Sequence, residues 1–476
     1  MKSSYILRPS FAMSFSVLAT VWACAGKEST DPSTGGASGT GPTGGATTGG
    51  IGGTVSTGGA VATGGAVATG GAVATGGAVA TGGAVATGGA GGIGGTDPGG
   101  AAGIGGSGGD AGSSAGGTAG GGSGGKAGAG AGGTGGMVMN AMGPCDIYAA
   151  ANPAVPCVAA YSTVRSLRAA YTGPLYQLRK GGPDPNTGTG GTTQDIGQVG
   201  GFADVTAHEA FCGTTGTCTF SILYDQSGRM NNLTVGKRGC YEGTAGEDDY
   251  ESDAKRRKMT VGGHSVYALY MDKHDGYRNN GTPYPTVGPA GAGMPTGSQP
   301  QGIYAVEEGS AKRQGAGCCC CFNFGNGSRN NCYGPTGQMN ALFLGTGYWG
   351  KGTGNGPWFM GDFEAGVWAG GSGASNAVNN MLPSMTMNYA FGILKTRAGN
   401  YAIRTADATT GNVATAYDGN APANWTMEGG IILGIGGDNS NSSDGTFLEG
   451  AITAGRPDDA TDALVHENVK AVRYGM

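Results

Sequence analysis

The sequence predicts an all-β sandwich carried behind a long low-complexity tether. Three observations lead there. From residue 143 onward, short apolar runs alternate with turns rich in Gly, Asn, Asp and Pro. Helical periodicity is scarce in that region, with 162–171 and 459–474 the best candidates. Before residue 143 the chain is almost entirely Gly, Thr, Ala and Ser, with few large side chains to bury.

The N-terminus sets the compartment. Lys2 and Arg8 give a basic start, and an apolar stretch over 11–23 ends at Cys24. This stretch is too short to span a bilayer and reads as a signal peptide occupying residues 1–23. The ending Val21-Trp22-Ala23-Cys24 resembles a bacterial lipobox, which would make Cys24 the lipidated first residue of the mature chain. Ordinary secretion is the alternative, and Trp22 suits it better than a lipobox. In both cases the protein is exported, to the cell surface or outer membrane or into the medium, and its cysteines meet an oxidising environment.

Residues 24–142 form the tether. Within it TGGAVA begins at Thr57, and Thr63, Thr69, Thr75, Thr81 and Thr87 open further copies. A six-residue period is too short for helical solenoid repeats. Glycine loses the most backbone entropy on ordering, so a flexible coil is favoured over a β-helix. A coil of about 117 residues has an end-to-end distance of roughly 60 Å, which suits a stalk.

Residues 143–476 hold the aromatics, charges and β-branched residues, about 330 positions and enough for one large core. The apolar runs "CTFSILYDQSG", "HSVYALYMD", "MNALFLGTG", "GPWFMGDFE", "NYAIRTA" and "EGGIILGIGGD" read as strands. The formal net charge of −5 has no basic block behind it, so nothing points to nucleic acid. The four histidines, His208, His264, His274 and His466, stand in no tight ligand spacing, and no metal or cofactor is expected. No GxSxG elbow or Walker loop occurs.

The carboxylates carry more information. In "GPWFMGDFEAG", Asp362 and Glu364 are two apart on an expected strand and would project to one side. A solvated strand face is the bland reading, but Trp358, Phe359, Met360 and Phe363 flank the pair. Asp438 follows the apolar run 431–435 and two glycines, placing it at a strand end, where a plain turn aspartate is the competing reading. Two carboxylates in a cleft are what glycoside hydrolysis needs, one to attack or activate water and one to protonate the leaving oxygen.

The stretches "GPCDIY" (143–148), "PCVAAYSTVRSL" (156–167), "GPLYQL" (173–178), "LYDQSG" (223–228), "GYRNN" (276–280), "GPWFMGDFE" (356–364) and "EGGIILGIGGDNSN" (428–441) follow one another in a recognisable order. The region 143–476 resembles the catalytic domain of the α-L-arabinofuranosidase B family, glycoside hydrolase family fifty-four. The resemblance implies a concanavalin-like or jelly-roll sandwich that releases terminal non-reducing α-L-arabinofuranosyl groups, with retention, from arabinose-containing plant polysaccharides or oligosaccharides. It places the nucleophile at Glu364 and the general acid/base at Asp438. It also places sugar contacts at Asp362, Trp349 and Gly437. Glu364 is then expected ionised for attack, while Asp438 carries the proton at the outset. Two departures stand out. Ala365 and Gly366 occupy positions where the family commonly has two asparagines, and the chain has no region matching the arabinose-binding β-trefoil of the fungal members. A non-catalytic carbohydrate-binding surface protein on a stalk is the alternative reading, and a structural surface protein whose glycine-rich part does the work is a third.

The chain holds eleven cysteines, four of them consecutive in "GCCCCFNFGN" (317–326). Adjacent Cα atoms lie about 3.8 Å apart, below the usual disulfide range of roughly 4.4–6.8 Å. The resemblance nevertheless assigns a vicinal disulfide to Cys320–Cys321, as an apolar wall against the furanose. It also implies the pairs Cys145–Cys157 and Cys212–Cys218. Cys240 and Cys332 are then expected to bond Cys318 and Cys319 in an order the sequence leaves open.

Overall fold

A computed structural model describes residues 142–239, 247–281, 287–313, 321–332, 338–346, 350–364 and 366–476. Trp349, Cys24, Cys240, Cys318, Cys319 and Cys320 lie outside the described residues, as do the signal peptide and the tether.

Two large antiparallel sheets dominate the fold. In the first, strands run in the order Cys157–Ser162, Gly445–Ala454, Gln301–Glu308, Tyr389–Arg397, Asn400–Asp407 and Thr410–Asn420, with Leu269–Met271 also pairing to Gly445–Ala454. The second runs Val367–Trp368, Trp358–Asp362, Asn340–Gly345, Asn323–Gly327, Gly430–Leu433, Tyr277–Asn279, Leu233–Val235, Cys218–Leu223, Tyr176–Lys180 and Thr192–Ile196. The all-β expectation holds. Each quoted apolar run contains a strand, and interior strands such as Gln301–Glu308 and Asn340–Gly345 are buried throughout, while the edge strand Thr410–Asn420 is mostly exposed.

Large rings fill the space between the sheets. Phe324 meets Phe447 with centroids 5.2 Å apart and stands edge-on to Tyr161 at 6.1 Å. Both phenylalanines are fully buried, each contributing about 1.5–3 kcal/mol of transfer free energy.

The helix expected at the C-terminus is present as Asp459–Ala471. Asp458 caps it by accepting the Thr461 N–H at 2.7 Å, and Asp459, Asp462 and Lys470 oppose the helix dipole's ends. Val465 and Val469 are buried on its inner face, and Asp462 accepts from Lys395 and Arg404 at 2.6 and 2.9 Å. The second expected helix, over 162–171, does not form. Ser162 ends a strand, and its Oγ accepts the N–H groups of Val164 and Arg165 at 3.1 Å each. That local turn competes with a helix, and Arg165 reaches inward to Glu449 rather than along a helix face. Two short helices that periodicity does not reveal, Pro144–Ala150 and Val205–Cys212, flank the sheets.

Two disulfides tie these peripheral helices down, Cys145–Cys157 and Cys212–Cys218. Cys321 and Cys332 are also disulfide-bonded. The expected Cys320–Cys321 bond would involve Cys320, which lies outside the described residues. Among the described residues no helix is long and apolar enough to cross a membrane.

Candidate active site

The second sheet brings the sequence-predicted carboxylates together from two strand ends. Trp358–Asp362 and Gly430–Leu433 are separated in the sheet by Asn340–Gly345 and Asn323–Gly327. The two strands run antiparallel to each other, and each runs out into a turn. Glu364 sits two residues beyond the first, Asp438 five beyond the second.

Glu364 is not on the strand that simple alternation predicts. The strand stops at Asp362, and the Phe363 N–H donates to the Gly366 carbonyl at 3.2 Å, closing a turn. Within it Glu364 has φ +67°, a left-handed conformation uncommon for a residue with a side chain. The turn, not strand alternation, aims the carboxylate. Asp362 supports it, accepting the Glu364 N–H on Oδ1 at 3.1 Å and an Asn323 amide N–H on Oδ2 at 3.0 Å. The strained backbone at this position is thus anchored by a buried aspartate.

Asp438 lies in the turn after Ile435. The Gly436 N–H donates to the Ser440 carbonyl at 2.8 Å, and the Ser440 N–H donates to Asp438 Oδ1 at 2.9 Å. Gly437 joins the two halves of the site. A Cβ at that position would stand 2.3 Å from Glu364 Oε2, so the nucleophile candidate packs directly on the Asp438 turn. Cys321 closes the same corner, with the Ser440 hydroxyl 3.6 Å from its Sγ.

The electrostatics differ from the sequence expectation in one respect. Burial pushes Glu364 well above the usual carboxylate range, and the nearby Asp438 and Asp362 push it the same way. Arg278 acts against them. Burial likewise raises Asp362 to about 7, opposed by its Asn323 and Glu364 hydrogen bonds. Desolvation thus works against a charge on Glu364, and the guanidinium of Arg278 favours it.

Sequence reasoning missed Arg278, Asp249, Asn323 and Ser328. "GYRNN" was visible as a motif, and an arginine inside a strand was its signal. Asp249 stands in the acidic stretch "GEDDYES", which nothing in the sequence separates from a solvated loop.

The catalytic-domain model of alpha-L-arabinofuranosidase B matches residues 144–475 of this chain. The chain belongs to the alpha-L-arabinofuranosidase B family. It is similar to the Alpha-L-arabinofuranosidase B of Aspergillus oryzae, 39% identical over 346 residues, a match covering 71% of this chain and 63% of the relative. An Alpha-L-arabinofuranosidase of Hypocrea jecorina is 40% identical over 344 residues, covering 71% and 64% respectively. Among solved structures, an arabinofuranosidase complexed with arabinofuranosyl-alpha-1,2-xylobiose matches with a TM-score of 0.62 and 38% identity, covering 70% of this chain and 66% of that one. The chain thus spans less than two thirds of the length of these alpha-L-arabinofuranosidase B relatives.

Proposed function

We propose that region 143–476 is a retaining α-L-arabinofuranosidase acting on terminal non-reducing arabinofuranosyl groups of plant polysaccharides or oligosaccharides. The contact of Glu364 Oε2 with the Gly437 position carries the reading, because it brings two carboxylates from distant strand ends to one spot. Family membership and the arabinofuranosyl ligand of the similar solved structure support it.

In the first step a Glu364 oxygen attacks the anomeric carbon. The glycosidic C–O bond breaks, and the leaving oxygen takes the proton of Asp438. In the second step Asp438 removes a proton from water, the water oxygen attacks the anomeric carbon, and the ester bond to Glu364 breaks. Asp362, Gly437, Trp349 and the Cys320–Cys321 pair are the proposed sugar contacts. Burial of Asp362 suits a hydrogen-bonding role toward a sugar hydroxyl rather than a reacting one, since Glu364 and Asn323 already hold both its oxygens in place.

The purified chain incubated with 4-nitrophenyl α-L-arabinofuranoside tests the activity, and NMR of the first-formed sugar tests retention. Release of arabinose as the α anomer is expected. A folded protein that binds such arabinosides without cleaving them would favour the carbohydrate-binding alternative.

The export reading is proposed with it: a signal peptide over 1–23, acylation of Cys24, and a tether over 24–142 that displays the catalytic domain. Mass spectrometry of the mature N-terminus decides between a lipidated Cys24 and simple secretion. Non-reducing peptide mapping tests the Cys320–Cys321 ring.

A further inference from the structure

We propose that Arg278 and Asp249 are positioning residues, two buried side chains that grip the Asp438 turn from two sides and fix its carboxyl against Glu364. This rests on the glycosidase reading above for its kinetic consequence, but not for its structural one.

Arg278 lies on the strand Tyr277–Asn279 and is 4% exposed. Its Nη1 donates to the carbonyls of Gly436 at 3.2 Å and Gly437 at 3.1 Å. Its Nη2 donates to the Ser328 carbonyl at 2.7 Å, and Nε donates to Asn280 Oδ1 at 3.2 Å. The Ser328 hydroxyl donates to the Gly437 carbonyl as well, at 2.7 Å. The peptide immediately before Asp438 is therefore held by a charged donor and a neutral one.

Asp249 is fully buried and holds the residues after Asp438. Its Oδ2 accepts from the Asn439 amide at 3.0 Å and its Oδ1 from the Asn441 amide at 2.6 Å. Asn439 has φ +72°, a conformation that a turn alone holds weakly and a side-chain clamp holds firmly. Space for the carboxylate comes from two glycines. A Cβ at Gly236 would stand 2.0 Å from Oδ2, and one at Gly276 2.7 Å.

Among the described residues the two charges form no direct ion pair; each is satisfied through the turn that lies between them. Burial pulls Arg278 down to about 10, while Asp249, Glu364 and Asp438 act in the opposite sense, so it stays cationic at neutral pH. Burial raises Asp249 to about 7, and the hydrogen bonds from Asn441 and Asn439 and the charge of Arg278 oppose that rise, so the turn supplies the donors that favour its anionic form. One guanidinium thus both ties down the turn of the proposed acid/base and favours the charge of Glu364.

The test compares the full chain with Asp249→Asn and, as a milder change, Asn439→Gly, since glycine accepts the positive φ while deleting one clamp bond. Two readouts are taken on protein whose thermal unfolding remains cooperative. Hydrogen exchange of the 434–441 peptide is expected to accelerate at least about tenfold in both variants, in line with loss of a buried hydrogen bond. The kcat/KM ratio is measured on 4-nitrophenyl and methyl α-L-arabinofuranosides. A misplaced acid matters most where the leaving group needs its proton, so the loss on the methyl glycoside is expected to exceed that on the aryl one by about tenfold or more. Unchanged exchange at 434–441, or equal losses on both substrates, overturns the proposal. Should Asp249→Asn not fold, Asn439→Gly decides by the same criteria. A parent that cleaves neither glycoside overturns the glycosidase reading instead, and the exchange measurement then judges the clamp alone.

Discussion

The Glu364 carboxylate fills the space that a side chain on residue 437 would occupy, 2.3 Å from where that Cβ would stand. The other close neighbour of this missing Cβ is the Met339 sulfur at 3.1 Å, the end of a flexible side chain that can move aside. Gly437→Ala should therefore act almost wholly by displacing Glu364. A shift of about 1 Å in a reacting group costs on the order of 10²-fold in rate. We expect kcat/KM for an aryl arabinofuranoside to fall by about that factor, with little change in Tm. An alanine variant within about twofold of the parent would mean that Glu364 does not work from this position.

The two carboxylates should fail differently. Glu364→Gln leaves a side chain of the same shape that cannot form the glycosyl ester, and turnover should drop by several orders of magnitude on every substrate. Asp438→Asn removes the proposed proton donor, an expected effect of roughly 10²–10⁴-fold that grows as the leaving group becomes poorer. Steady-state kinetics over a series of aryl arabinofuranosides separates them. A flat leaving-group dependence in Asp438→Asn would remove Asp438 from the acid role.

Much of this site was legible because its parts are local. The apolar runs mark the strands, and Glu364 and Asp438 stand a few residues past their ends, where loops carry chemistry. What was not legible depends on contacts distant in sequence. Asp249 reaches Asn439 and Asn441 across about 190 residues, and no spacing rule links them. The alternation rule put Asp362 and Glu364 on one strand face, yet the strand ends at Asp362 and a left-handed turn sets the direction of Glu364. Over 162–171 the apolar Val164 and Leu167 mimic a helical stripe, while the Ser162 hydroxyl and the inward Arg165 commit the segment to an irregular path.

Arg165 supports a stability prediction remote from catalysis. Its guanidinium forms a bidentate pair with Glu449, Nη2 at 2.7 Å, and also reaches Asn468 at 3.0 Å. Tyr304 and Tyr474 donate their hydroxyls to the same carboxylate. The network joins the central strand Gly445–Ala454 to the C-terminal helix. Arg165→Met strands the Glu449 charge in the interior and should cost about 3–5 kcal/mol. Arg165→Met combined with Glu449→Gln should recover part of that loss. Denaturant unfolding measures both, and a single variant as stable as the parent would show that the pair carries no such weight. Activity per folded molecule should stay near the parent's.

The final prediction concerns acid stability and one histidine. His208 is 1% exposed and stacks on Tyr267 with centroids 4.2 Å apart. Its Nδ1 is 2.8 Å from the Tyr176 hydroxyl and its Nε2 is 3.1 Å from the Ala254 carbonyl. A carbonyl only accepts, so Nε2 carries the hydrogen, and Nδ1 accepts from the tyrosine. Burial lowers His208 from 6.5 to about 4, outweighing the opposite pull of the Ala254 carbonyl and Glu209; Lys258 adds to the lowering. Between those values the unfolded chain binds a proton that the folded chain does not, so this residue's contribution to stability is lost as pH falls from about 6.5 to about 4. The full effect is about 3 kcal/mol. Buried Asp249 and Asp362, both raised to about 7, act in the other sense, since their contribution declines as pH rises from about 4 to about 7. The parent's own pH profile therefore mixes opposing slopes, and only a difference isolates His208. His208→Gln keeps one donor for Ala254 and one acceptor for Tyr176 but cannot titrate. Thermal unfolding of both proteins from pH 4 to pH 7 should show the parent losing ground to the variant as the solution is acidified. Parallel curves would mean that His208 is protonated as easily in the folded protein as in the unfolded chain.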